Sequence, residues 1–343
     1  MSYSTFLLMF LEHKKKHLEY FLLILCLLPI YNIIIFFISL FNGFYTHILI
    51  GWHGWADNYR FFDSMIILPI FLCLYFVEKK HKLGKTIYFL FYLYILTLFF
   101  DGARSVLLSI AISIIMGYIL FKKRKKIFLD SLFIMCFAYI SHFIYLKSSN
   151  LTINSIARGD SSGRFELWNY GFNRFLEKPF FGYGGGNFSL DSKIYLSSPH
   201  NFIIQFISEW GLGGIGLVIL VLYLYWYLFK NLKKLNPFIF LCSISILIDG
   251  LFSGLFILPM SQMNFMLVIG LLLNQIYICN KKEYIVGASY SGYFFYILII
   301  FCTVYFFVFH WQDIICTTCM GLEGVNTPRF WRGGKSLHLQ EID

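Results

Sequence analysis

Charge is what this sequence has least of. Asp, Glu, Lys and Arg make up 13% of its 343 residues, against 58% hydrophobic residues, and that shortage excludes an ordinary soluble enzyme of this length. With a mean hydropathy of +0.68 the chain is a membrane protein. Other absences narrow the class further. No internal repeat is apparent, which speaks against a transporter built from duplicated halves. The cysteines form no framework: most lie inside apolar runs (Cys26, Cys73, Cys136, Cys242, Cys302), where a thiol packs as a small hydrophobe. The CxxC of Cys316 and Cys319 lacks the second half of a zinc or redox site. No cleavable signal peptide is evident, because the basic cluster Lys14–Lys16 leads into a run too long for a signal core. A net charge of +10 would suggest nucleic acid in a soluble chain. Here the basic residues sit in short clusters between apolar runs, so no nucleic-acid partner is expected and the pattern orients helices instead.

What is present is a series of long apolar runs. Spans are expected near 18–41, 61–77, 86–100, 105–121, 127–146, 201–229, 237–258, 260–279 and 290–310. The stretch 86–121 also reads as a tight hairpin. The expected fold is all-α, a polytopic helical membrane bundle of about nine to ten spans, each needing about 20 apolar residues. The run Thr5–Leu11 is too short to cross and is expected at the membrane surface. Clusters at Lys14–Lys16, Lys79/Lys80/Lys82/Lys85, Lys122–Lys126, Lys230/Lys233/Lys234 and Lys281/Lys282 fall in alternate loops and hold 17 of the 28 Lys and Arg residues. By the positive-inside rule the amino terminus is then cytoplasmic and the hydrophilic stretch after the fifth span lies outside. The domain reading is N-terminal helices over 1–146, an external catalytic loop over 147–200, C-terminal helices over 201–310 and a tail, 311–343, with no assigned role. A multi-pass protein of the bacterial inner membrane with its active face toward the periplasm is expected.

Residues 163–214 concentrate the chain's arginine, histidine, carboxylate and glycine. Phe165, Trp168, Phe172, Phe175 and Leu176 fall at helical spacing opposite Glu166, Asn169, Asn173 and Glu177, which predicts an amphipathic helix from about Ser162 to Glu177, lying on the membrane or on other helices. Arg164 in its first turn either adds to an anion site at the helix start or pairs with Glu166 or lipid headgroups. Pro179 ends the helix. Gly182, Gly184, Gly185 and Gly186 then form either a sharp turn or a phosphate cradle, and no preceding strand favours the cradle. Ser198 with Pro199 predicts a helix start that places His200 in the first turn of a helix running on into the membrane. The positive helix end would hold His200 neutral, as a general base; the alternative is a histidine bonded to a loop carbonyl. Asn201, Gln205, Ser208 and Glu209 share one face of that helix, and a carboxylate inside a span either partners a buried cation or orients His200. Asp101-Gly102-Ala103-Arg104 joins two spans on the same side, with Arg104 either a partner of Asp101 or a second cation for the same cavity. Asp63 and Asp249, within or at the edges of spans, raise the same question.

These residues, taken in order, resemble a known signature. Gly163-Arg164 with Leu167-Trp168, Pro179 with Gly182 and Gly184, His200-Asn201, and Glu209 with Gly211 and Gly214 resemble the O-antigen ligase and O-antigen polymerase superfamily of bacterial envelope glycosyltransferases, and DGARSVLL resembles its short arginine motif ahead of a span. The resemblance implies an inverting transfer without metal or other cofactor. The implied donor is an oligosaccharide on undecaprenyl diphosphate and the implied acceptor a glycan hydroxyl, with the lipid bilayer and a chain-length regulator as further partners. It assigns Arg104 and Arg164 to the diphosphate, His200 to the acceptor's proton, and Glu209, Asn201, Trp168, Gly182 and Gly184 to substrate binding and support. Between the two activities the short chain, rich in Phe, Ile, Tyr, Lys and Asn, favours an O-antigen polymerase for surface polysaccharide. The alternatives are a ligase transferring polymer to lipid A-core and, in another class, a flippase for the lipid-linked glycan.

Overall fold

The computed structural model describes residues 15–49, 51–53, 59–81, 84–149, 163–185, 188, 198–254 and 259–280. Over these the architecture is a helical membrane bundle, in the order α1 (Lys15–Leu27), α2 (Ile30–Thr46), α3 (Tyr59–Glu78), α4 (Gly84–Asp101), α5 (Arg104–Leu120), α6 (Lys125–Ser149), α7 (Arg164–Glu177), α8 (Phe202–Trp210), α9 (Leu212–Lys230), α10 (Pro237–Asp249) and α11 (Pro259–Asn280). Among the described residues five segments are long and apolar enough to cross a membrane, one of them the α1–α2 stretch Leu18–Thr46 taken together, with two shorter apolar helices, α5 and α10, beside them. The run Thr5–Leu11, the span near 290–310, the CxxC and the tail 311–343 lie outside the described residues.

The chain divides into two units, one made of His13–Ser162 with Leu228–Ile276 and a second whose described residues fall mainly within Gly163–Tyr227. In the first, α10 is the centre. Every residue from Pro237 to Ile246 is buried, as expected of a helix apolar on all sides. It begins sharply because Pro237 follows Asn236, whose side chain accepts from the N–H groups of Phe238 (3.0 Å) and Ile239 (3.2 Å). Around it, α10 packs on α5 and α3, α3 on α4 and α1, and α4 and α5 on α6. Two polar contacts fix register between these helices: Ser109 Oγ meets Ser245 Oγ at 2.9 Å, and Tyr94 donates to the carbonyl of Cys26 at 2.7 Å. The outward face of α6 (Phe133, Phe137, Ile140, Phe143, Ile144) is apolar and exposed, as a lipid-facing helix should be.

Two spans differ from their sequence reading. The run 18–41 is interrupted by Leu28-Pro29, because proline cannot continue the hydrogen-bond ladder, so α1 and α2 are separate. The run 201–229 is broken at Gly211 (φ 56°, ψ −130°), a conformation that only glycine adopts readily, giving the short α8 and then α9. The stretch 86–121 is a hairpin of two helices turning at Gly102.

The two ends of the first unit differ in charge. At one, Glu78 accepts from Arg124 Nε and from Asn236 Nδ2 (2.8 Å), while Lys79 meets Glu19 at 3.2 Å. These contacts gather the basic stretches at Lys79, Lys122–Lys126 and Lys233/Lys234 at a common end, as the alternation of charged loops requires. The other end is acidic and carries the Arg104 turn.

Candidate functional site

The second unit is built on one helix pair. α7 packs against α8 through Leu167, Gly171 and Arg174, which are buried at a spacing of three and four residues. Contact is close at Gly171, where an added Cβ would stand 2.5 Å from Ile204 Cγ2. The predicted apolar stripe is real but is not the packing face: Phe165, Phe172 and Leu176 are exposed. Glu166, Asn169, Asn173 and Glu177 are exposed as expected. Arg164 opens α7, half-buried, directly after Gly163 in a left-handed conformation (φ 68°).

Trp168, one turn beyond Arg164, donates its indole N–H to the carbonyl of Pro199 at 2.9 Å. That bond ties α7 to the residue before His200. The helix start there differs from the sequence reading: Asn201, not Ser198, caps α8, accepting from the N–H groups of Ile203 (2.9 Å) and Ile204 (3.2 Å). Asn201 has the extended backbone (φ −152°) that a cap needs. Ser198 is engaged one step earlier, its hydroxyl accepting from the N–H of His200 at 3.0 Å. His200 therefore precedes the helix, half-buried, with φ 53°. Left-handed backbone is uncommon outside glycine, although histidine tolerates it better than most residues. The peptide joining Pro199 to His200 is held at both its polar groups, the N–H by Ser198 and the carbonyl by Trp168.

Along α8, Gln205, Ser208 and Glu209 are buried on one face, as the sequence spacing predicts. Glu209 is 2% exposed and accepts from Gln205 Nε2 at 3.3 Å. The glycine turn embraces the far end of this helix. Tyr183 N–H donates to the Ser208 carbonyl (3.2 Å), Gly184 N–H to the Glu209 carbonyl (2.8 Å), and Leu212 N–H to the Pro179 carbonyl (2.7 Å). Gly182, at φ 66°, lies where a Cβ would stand 2.4 Å from the Glu209 carbonyl, and at Gly214 a Cβ would stand 2.0 Å from Phe206 O. The turn is thus a backbone clasp on α8, with two of its N–H groups given to helix carbonyls.

Sequence reasoning passed over Arg174. It is 3% exposed, donates to Tyr170 OH at 2.6 Å, and lies 3.6 Å above the centre of the Tyr183 ring. The cation therefore fastens the clasp to α7. Its signal was its position, seven residues after Leu167 on a stripe that a hydropathy pattern does not register.

Arg104 belongs to the first unit, half-buried at the start of α5, whereas Arg164, Trp168, Gly182, Gly184, His200, Asn201 and Glu209 belong to the second. The partner found for Asp101 is His53, whose Nε2 lies 2.6 Å from Asp101 Oδ1. Asp63 and Asp249 are buried beside this pair, Asp249 accepting from Ser64 Oγ (2.7 Å) and Ser253 Oγ (2.8 Å). No group of three or more His, Cys, Asp or Glu side chains with metal-binding geometry occurs among the described residues.

Residues 89–219 match the family model described as O-Antigen ligase, a stretch that takes in Arg104, Arg164, His200 and Glu209. A curated relative, the ComP-specific O-oligosaccharyltransferase of Acinetobacter baylyi, is 25% identical over 243 residues. The match covers 65% of this chain and 43% of the relative, so the chain spans less than half the length of that protein. No solved structure matches the chain.

Proposed function

We propose that this chain, which belongs to the O-antigen ligase superfamily through its residues 89–219, is a membrane glycosyltransferase that moves a glycan from a lipid diphosphate carrier to a hydroxyl acceptor. The observation that carries the reading is the hold on His200: its backbone is left-handed, and the peptide joining it to Pro199 is bonded at the N–H by Ser198 and at the carbonyl by Trp168, itself one helical turn along α7 from Arg164. Left-handed backbone at a non-glycine residue persists only where its surroundings enforce it, and such positions gather at active sites.

In this mechanism a neutral His200 ring nitrogen takes the proton of the acceptor hydroxyl as its oxygen bonds to the anomeric carbon. The bond from that carbon to the diphosphate breaks, and the departing charge is taken up by guanidinium groups, Arg164 and Arg104, whose forked donors match phosphate oxygens. Glu209, Asn201 and Trp168 act as positioning residues, and Gly182 and Gly184 serve through the clasp on α8. The site opens on the periplasmic side of the inner membrane, and undecaprenyl diphosphate is the carrier.

For the acceptor, the family description and the relative's name favour ligase-type transfer of a preassembled oligosaccharide. The polymerase reading rests on the chain's length and composition. A deletion strain separates them: single repeat units on lipid A-core indicate a polymerase, and none a ligase.

The mechanism is tested by complementing that strain. His200→Asn, Arg164→Ala and Arg104→Ala should each insert normally yet lower transfer about a hundredfold or more. Arg164→Lys should recover only part, since an ammonium cannot bridge two phosphate oxygens. A wild-type surface-glycan ladder in the His200→Asn strain would remove the base assignment.

A further inference from the structure

The clasp carries two phenylalanines that the mechanism above does not use. Phe180 is 69% and Phe181 89% exposed, between Pro179 and Gly182. They continue the apolar stripe of α7, where Phe165, Phe172 and Leu176 are exposed on the side of the helix opposite Leu167, Gly171 and Arg174. One face of α7 is thus taken up by α8, and a second, aromatic face is exposed. Several large apolar side chains exposed together mark a contact with membrane or partner. The neighbouring backbone says which. The Trp168 to Pro199 bond joins the two helix starts and the Gly184 to Glu209 bond joins their far ends, so α7 runs alongside α8 in the same direction and its phenylalanine tip lies where α8 gives way to α9. There Leu212 N–H donates to the Pro179 carbonyl at 2.7 Å, and a Cβ on Gly211 would stand 2.8 Å from Phe180 O. Leu212 opens α9, which is long and apolar enough to cross a membrane and exposes Leu217, Ile219, Leu220 and Leu222 as a lipid-facing helix does. Exposed Trp210 and Leu212 carry that surface up to the tip. The basic residues Lys230, Lys233 and Lys234 mark the far end of α9 as the inner one, which puts its start in the outer leaflet.

We infer that Phe180, Phe181 and the exposed stripe of α7 are embedded among the acyl chains of outer-leaflet phospholipid, continuous with the lipid face of α9, and that this anchor holds the clasp at headgroup level. An apolar helix face of this kind sinks about 5–10 Å into the boundary between headgroups and chains. The break at Gly211 frees the direction of α8 from that of α9, so the α7–α8 pair can lie along the surface. Phe181 is one peptide from Gly182, which abuts the Glu209 carbonyl, so the depth of the tip sets the depth of the clasp. A carrier lipid presents its diphosphate at that same level. This role rests on the transfer from a lipid carrier proposed above; the embedding itself does not.

The test places the photoreactive residue p-benzoylphenylalanine at single positions of the full chain, reconstituted in vesicles of phosphatidylethanolamine and phosphatidylglycerol, and identifies the adducts by mass spectrometry after illumination. Phe172 and Phe181 should yield phospholipid adducts as Leu220 on α9 does, and Glu166, exposed on the polar side of α7, should yield about tenfold less. An adduct from Phe181 to a second copy of the chain or to another segment of the same chain, or no lipid adduct where Leu220 gives one, overturns the embedding. The role is read from transfer in the same vesicles, with a long-chain polyprenyl diphosphate glycan as donor and protein amount normalised. Phe180→Ser with Phe181→Ser should raise the KM for that donor about tenfold and leave kcat nearly unchanged, whereas Phe180→Leu with Phe181→Leu, which keeps the tip apolar, should stay within about twofold of wild type. With a short-chain, water-soluble donor the serine variant should match the wild type, which a merely unfolded variant would not do. Equal KM values for the long-chain donor, with lipid adducts present, overturn the role of the anchor. No transfer by the wild type overturns the proposed function instead and leaves the adducts standing.

Discussion

The bundle around α10 and the clasp around α8 hold together by different means. In the bundle neighbouring helices meet through side chains, with α10 buried from Pro237 to Ile246 and a few hydroxyls fixing register. In the clasp they meet through backbone: three N–H to carbonyl bonds join the turn to α8 and the start of α9, and glycines stand where any side chain would strike a carbonyl. A side-chain contact degrades in proportion to what is removed, because neighbours relax partly into the gap. A backbone contact cannot yield in that way. Geometry that chemistry must keep to a fraction of an ångström is better entrusted to the second kind.

The sharpest way to break this contrast is to add one methyl group. Gly182→Ala and Gly214→Ala should lower transfer about a hundredfold or more, through misplacement of Glu209 and of α8, while the protein still reaches the membrane. Leu241→Ala, in the middle of α10, should cost about 2–5 kcal/mol of stability and reduce the melting temperature in detergent, with the rate per folded molecule little changed. If Gly214→Ala lost stability and kept its rate, the two regions would not differ as described. A smaller effect is expected at the cap: Asn201→Ala removes the acceptor for two N–H groups and should cost about 1 kcal/mol, and Asn201→Asp, which keeps an acceptor oxygen, should cost much less. The smallest belongs to the bundle. Ser245→Ala should cost about 0.6 kcal/mol by thermal melting, since the Ser109 hydroxyl retains its bond to the Val106 carbonyl at 2.8 Å.

Hydropathy and charge alternation made the helical bundle legible from sequence, since lipid enforces long apolar helices and basic loops announce one side. Within the candidate site the buried face of α8 was also legible, because polar residues at spacing three and four in an apolar run have few places to go. The helix start was misread. Ser198-Pro199 reads as a cap by local sequence, whereas it is Asn201, in extended backbone, whose side chain accepts from the N–H groups of Ile203 and Ile204. Arg174 escaped because its stripe contains a glycine and a cation, while the louder aromatic stripe on the same helix is exposed. The His53 contact with Asp101 joins residues 48 apart, and no local pattern encodes that proximity.

The backbone angle at His200 governs how the position can be interrogated. A saturation scan there would report two things at once, tolerance of positive φ and the chemistry of the ring, and β-branched replacements would fail for the first reason whatever their polarity. Glycine relaxes the chain while deleting the imidazole, and asparagine preserves the turn with a group that cannot take a proton at neutral pH. Those two variants, rather than alanine, separate what the main chain contributes from what the ring contributes.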